Sequence, residues 1–146
     1  MEISLKRNLL WHGAVLLLLG LLSGACIPLV TNARMGLSAH LAGVQNGMLL
    51  MIVGLAWSSV ALSARLAAAT FWLLLYSMYA IWASTLLGAF LGTSRLTPLA
   101  GEGHAGTPWE ELLVSSGLAT GSAAVLVGMA LFIYGLGAGA QERRSQ

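Results

Sequence analysis

Charge is what this sequence has least of. Seven Lys and Arg with five acidic residues make up 8% of a 146-residue chain, while 58% of it is apolar. Soluble domains carry roughly 25% charged residues and must cover a large surface with polar groups. A soluble globular enzyme is therefore excluded, as are a disordered chain and a nucleic-acid binder. Cysteine is almost missing as well. Cys26 is alone, so neither an intrachain disulfide nor a thiolate metal cluster can form, and it reads as a small buried apolar residue.

The charges that are present divide the chain into four uncharged runs: Asn8 to Ala33, Met35 to Ala64, Leu66 to Ser94 and Leu112 to Gln141. Each exceeds the ~20 apolar residues that a helix needs to cross a bilayer. The fold class that follows is all-α, an integral membrane four-helix bundle. It forms a single domain over residues 1–146, with helices at about 9–30, 41–62, 66–92 and 111–137, and the glycine content described below points to a homo-oligomer. Lys6 and Arg7 before an apolar stretch, then Ser23-Gly24-Ala25-Cys26, imitate a secretory or lipoprotein signal. Ser23 stands where a lipobox wants a large aliphatic residue, and the apolar run continues to Val30, so the segment reads as the first membrane helix. With four spans both termini share a side. Lys6, Arg7, Arg65, Arg143 and Arg144 lie there, and the positive-inside bias places it in the cytoplasm of a bacterial-type inner membrane. Trp11, Trp57, Trp72 and Trp109 are expected at span ends as an interfacial belt, with Trp82, Tyr76 and Tyr79 deep in the third helix.

Glycine is abundant, with 18 residues, and it is spaced. Gly20 and Gly24, Gly43 and Gly47, Gly88 and Gly92, and Gly117 and Gly121 give each helix one pair of small residues four apart. Gly128 and Gly135 continue the last stripe. In lipid, close approach of backbones at small residues drives helix association. Tight bundle packing is one reading, and room for a flat ligand is a second. The second applies to Asn32 through Gly47. There His40, Gly43 and Gly47 share a helix face, with Gly54 extending it, so an imidazole lies beside a groove of missing side chains, as a haem requires. Asn46 lies about 9 Å deeper along the axis and turned some 120° from His40. Within one helix the two cannot easily grip the same atom, but Asn46 could reach a ligand held by His40 of a neighbouring chain. Two plainer readings remain open: an interfacial or capping His40, with Ser38 as the cap, and Asn and Gln side chains that bond neighbouring helices. His12 and His104 are rival ligands, near opposite ends of the structure.

The stretch Ala39-His40-Leu41-Ala42-Gly43-x2-Asn46-Gly47-Met48, with Trp11-His12-Gly13 and Ser63-Ala64-Arg65-Leu66, is similar to the small membrane isomerases of the styrene oxide isomerase family. It resembles hydroxylaminobenzene mutases more closely, including the outer-loop Ala100-Gly101-Glu102-Gly103-His104. The resemblance implies a four-helix trimer that holds haem b between subunits through one axial histidine, matched by His40. Its pocket asparagine is matched by Asn46. The family's pocket tyrosine does not carry over: an ungapped register puts Thr85 opposite it and a gapped one Trp82, with Tyr76 and Tyr79 nearby. Tyr79 is the candidate for that role.

A ferric haem with one protein ligand keeps an open position that can act as a Lewis acid. The resemblance implies haem b-dependent rearrangement of a small aromatic substrate that partitions into the lipid bilayer. The expected reaction converts hydroxylaminobenzene to 2-aminophenol, and the alternative converts an epoxide such as styrene oxide to an aldehyde. The expected site residues are His40 on the iron, Gly43 and Gly47 against the cofactor, and Asn46 and Tyr79 in catalysis. Tyr76, Tyr79 and Trp82 are expected to wall an aryl pocket. A proton-coupled exporter would need a titratable group in the membrane, and no Asp, Glu, Lys or Arg lies inside the four runs. A non-catalytic assembly or anchoring subunit would account for the glycines, though not for the polar cluster from Asn32 to Asn46.

Overall fold

The structure, a computed structural model, describes residues 2–144, with side chains from Ser4 to Gln141. Five α-helices are present: α1 (Glu2–Ala25), α2 (Ala33–Ala56), α3 (Ala64–Leu91), the short α4 (Pro98–Gly101) and α5 (Pro108–Arg144). Four of them, α1, α2, α3 and α5, are long and apolar enough to cross a membrane. Arg143 and Arg144, counted above with the cytoplasmic charges, have side chains outside the described residues.

The helix ends follow local chemistry and correct the bounds expected from hydropathy. Helix α1 stops at Ala25, not near residue 30, because Pro28 lacks an N–H and disfavours helix in the residue before it. A single 3₁₀ turn, Ile27–Leu29, takes over. Helix α2 begins eight residues earlier than expected. Asn32 adopts an extended conformation and its side-chain oxygen accepts the Met35 N–H at 3.0 Å, a standard N-cap. His40 therefore lies inside the helix, and Ser38 is no cap, since its hydroxyl donates back to the Arg34 carbonyl. Helix α3 starts on Ser63 and ends on Gly92, whose φ of 69° suits only a residue without Cβ strain. Helix α5 opens on a capping box in which Glu110 accepts the Thr107 N–H at 2.7 Å, followed by Pro108 in the first turn.

Packing runs in the order α1, α2, α3, α5. Helix α1 packs most extensively on α2, and α3 joins α2 to α5. Among the described residues α1 and α5 do not approach each other, so the bundle is open between them. The core holds Leu9, Leu16, Leu50, Val53, Phe71, Leu74, Met78 and Phe132. Trp57 belongs to it too: it is 3% exposed and stacks on Phe132 with ring centroids 6.4 Å apart. It is not part of an interfacial belt, whereas Trp11, Trp72 and Trp109 are exposed.

Two devices close the end of the bundle away from the N-terminus. Asn32, buried, donates to the Ala100 and Gly101 carbonyls at 2.9 and 3.0 Å. The Glu111 carboxylate accepts the N–H groups of Ser94, Arg95 and Gly106. Together they pin the 92–107 connection onto the helix ends.

The glycines are spent mainly on helix contacts. A Cβ on Gly43 would lie 2.5 Å from the Gly20 Cα, and one on Gly47 would lie 2.5 Å from the Leu17 nitrogen. Gly117, Gly121 and Gly128 lie against α3, and Gly135 lies against the Val60–Leu62 connection. The expected bundle-packing role of the stripes is therefore filled within one chain.

Gly43→Ala must push α1 and α2 apart and should cost about 1–3 kcal/mol. Gly137→Ala, with no atom within 4 Å of the added carbon, should be neutral or stabilising by about 0.5–1 kcal/mol. Unfolding midpoints of the two variants in one detergent make the comparison, and equal midpoints would contradict the contact. Asn32→Ala should cost about 1–3 kcal/mol through the lost cap and loop bonds. It should also speed amide exchange in the 98–106 segment, the reading that separates it from general destabilisation.

Candidate active site

Helix α2 distributes its polar groups around the face that packs. Counting 100° per residue, the α1-facing Gly43 and Gly47 lie between Asn46 on one flank and His40 on the other. Asn46 faces α3, where its amide nitrogen donates to the Met78 carbonyl at 3.0 Å. His40 reaches over α1 on the side away from α3.

The His40 ring is seated by the absence of a side chain at Gly24, where an added Cβ would lie 2.7 Å from its Nδ1. Its Nδ1 is 2.8 Å from the Gly20 carbonyl oxygen. A carbonyl only accepts, so Nδ1 carries the proton and, in the neutral ring, Nε2 carries the lone pair. This is the arrangement by which proteins fix the tautomer of a metal-binding histidine. Nε2 has no partner among the described residues and is not sealed from its surroundings; the same holds for the Asn46 side-chain oxygen. No group of three His, Cys, Asp or Glu side chains among the described residues could hold a bare metal ion. A metal on His40 would have to bring its other ligands with it.

Gly43 and Gly47 do not cradle a flat ligand. Both are buried beneath α1, and a Cβ on Gly43 would also lie 2.7 Å from Trp82 Cδ1. Their missing side chains admit a helix backbone, a use that spacing along one helix cannot distinguish from a porphyrin face. Trp82 leaves the expected aryl wall for the same seam. Its indole N–H donates to the Ser23 hydroxyl at 3.0 Å, and Ser23 donates on to the Leu19 carbonyl.

Tyr76 and Tyr79 do share a groove, of about 470 Å³, with Trp72, Leu75, Ala80 and Ala83. It lies on α3 where α1 and α5 leave the bundle open. Tyr76 is tied to α5 through a 2.7 Å bond to the Thr120 hydroxyl. Tyr79 is tied to α1: its hydroxyl lies 3.3 Å from His12 Nδ1 and 3.4 Å from the His12 carbonyl oxygen. The two rings meet edge-on. Asn46 and Tyr79 share a depth in the bundle, because Asn46 bonds the carbonyl of the residue before Tyr79. Thr85, the ungapped alternative, is buried and spends its hydroxyl on the Ile81 carbonyl.

The His12–Tyr79 pair was not legible in the sequence. Hydropathy starts the first helix at residue 9 and so puts His12 at its edge, but α1 begins at Glu2 and carries His12 well into the bundle. His104, the other rival ligand, lies in the outer connection with Nδ1 3.0 Å from the Gly101 carbonyl.

The chain is similar to known proteins. The sequence profile described as styrene oxide isomerase matches residues 5–137. The hydroxylaminobenzene mutase HabB of Ectopseudomonas oleovorans is 42% identical over 136 residues, covering 92% of this chain and 83% of HabB. The mutase HabA of the same organism is 39% identical over 112 residues, covering 76% of this chain and 83% of HabA. No solved structure matches the chain. The matched region takes in all four spans with His12, His40, Asn46 and Tyr79, and the chain belongs to the styrene oxide isomerase family of membrane isomerases.

Proposed function

We propose that the protein is a haem b-dependent mutase that rearranges a small aryl hydroxylamine, hydroxylaminobenzene to 2-aminophenol, within the bilayer. The observation that carries the reading is the His40 ring, whose Nδ1 is held by the Gly20 carbonyl so that Nε2 faces outward with its lone pair. An unpartnered imidazole nitrogen in a membrane span is costly, and it is the atom with which His40 would hold the haem iron. Haem, when bound, would supply a Lewis-acidic iron with an open coordination position. Gly43 and Gly47 are covered by α1, so the surface opposite His40 has to come from elsewhere. His40 also lies on the flank of α2 away from the α3 groove. Both points support a homo-oligomer, by the family resemblance a trimer, in which a neighbouring subunit would complete the site.

The rearrangement leaves the molecular formula unchanged. The N–O bond breaks, a C–O bond forms at the ring carbon ortho to nitrogen, and the proton lost from that carbon is balanced by one gained at nitrogen. No Asp, Glu, Lys or Arg lies in the four uncharged runs that form the middle of the spans, so orientation falls to neutral groups. The Asn46 amide, fixed through its nitrogen on Met78, presents its oxygen to accept a hydrogen bond from the substrate hydroxylamine. Tyr79 offers its ring to an aryl group in the groove, and its hydroxyl with His12 forms a pair that can hold a proton. The apolar groove disfavours water, which would otherwise compete with the migrating oxygen for the ring carbon. The charge distribution supports cytoplasmic termini in an inner membrane, with Lys6, Arg7 and Arg65 on that side. The family profile favours a second reading, epoxide-to-aldehyde isomerisation.

The detergent-purified protein should show a Soret band. That band should disappear in His40→Ala and persist in His12→Ala and His104→Ala. A colourless folded protein from haem-replete cells would overturn the cofactor assignment. Supplied with phenylhydroxylamine, the enzyme should yield 2-aminophenol, and Asn46→Ala should lower kcat/KM by about 100-fold with the spectrum unchanged. Phenylacetaldehyde from styrene oxide, with phenylhydroxylamine left unconverted, would select the second reading.

A further inference from the structure

Gln45 has no partner where one is most needed. It is exposed and makes no hydrogen bond with any described residue. It also lies one position from the middle of the Ala33–Ser59 span. A hydroxyl in such a place can turn back to its own helix, as Ser116 and Thr120 do. The Gln45 amide does not, and the hydrocarbon around it offers neither donor nor acceptor.

The neighbours of Gln45 say what covers it. Leu41, Met48, Ile52 and Leu55 are exposed on the same face, and Leu41, Gln45, Met48, Ile52 and Leu55 follow one another at intervals of four, three, four and three. That 3.5-residue repeat is the seam of a left-handed helix pair, the common geometry of membrane bundles. A primary amide both donates and accepts, so around the axis of a symmetric oligomer each Gln45 can donate to one copy and accept from another. A single polar residue in an otherwise apolar seam also fixes register.

We infer that the outward face of α2 is the self-association surface of this protein, where α2 packs against α2 of a second copy and the Gln45 amides bond across the contact. The seam adjoins His40 on the α2 wheel, so the copy seated on it borders the open Nε2. The inference rests on the homo-oligomer reading but not on haem or on the reaction.

Cys26 is the only cysteine, so Cys26→Ser provides a cysteine-free background. In that background, Gln45→Cys and Met48→Cys should each form disulfide-linked dimers in native membranes under mild oxidant. Leu126→Cys, on the exposed face of α5, should stay monomeric. Gln45→Leu should weaken self-association in vesicles about 3- to 30-fold by energy transfer between labelled copies, the range expected for an interhelical polar contact in lipid. The surface is refuted if both seam cysteines stay monomeric in folded protein, or if Leu126→Cys links as well as they do. Since the readout needs neither cofactor nor substrate, cross-linking in a colourless or inactive chain would overturn the proposed function and leave the seam standing.

Discussion

Contact between the backbones of α1 and α2 is the constraint on which the rest of the structure depends. In lipid no hydrophobic force drives helices together, and dispersion contact grows only when backbones come close. Gly13, Gly20, Gly43 and Gly47 make that approach possible, each sitting where a Cβ would collide with the facing helix. The same approach brings the Gly20 carbonyl within reach of His40 and leaves the Gly24 gap for its ring. Association of the two helices and orientation of the imidazole are thus one event. Any residue that widened the seam would release the histidine along with the helix.

The chemistry follows from a shortage of charge. With no Asp, Glu, Lys or Arg in the four uncharged runs, each polar side chain in the membrane is either consumed by a neighbour or conspicuous. Ser23 and Trp82 consume each other, Tyr76 is held by Thr120, and Thr70 and Thr85 bond their own helix. Three polar groups on α2 remain unused: the His40 Nε2, the Asn46 oxygen and the Gln45 amide. They lie on different flanks of one helix, so no single ligand within one chain can engage all three. In the proposed oligomer a second subunit would meet these groups, with the seam and the site side by side.

The outer connection serves the same end by mechanical means. Asn32 caps α2 and holds the α4 turn, while Glu111 gathers three backbone N–H groups from the far side. The helix that carries His40 and Asn46 is therefore anchored at its entrance by hydrogen bonds and along its length by glycine contacts. Such rigidity suits the proposed site, which would orient a small substrate with neutral groups.

By itself the sequence determined the number of spans, their alternation and the absence of buried charge, because these depend only on where hydropathy is interrupted. It also singled out His40 and Asn46, through a polar cluster that membrane packing alone does not require. The helix ends were less legible. Pro28 and Asn32 act through backbone geometry over a few residues, and hydropathy averages across them. Only the tertiary structure decided what faced what. Gly43 and Gly47 meet a helix instead of a cofactor, Trp82 turns to Ser23, Trp57 is core, and Tyr79 finds His12 across 67 residues of sequence. The physical reason is that a helical repeat fixes which residues share a face, whereas the partner of that face is chosen by backbone approach between segments distant in the chain.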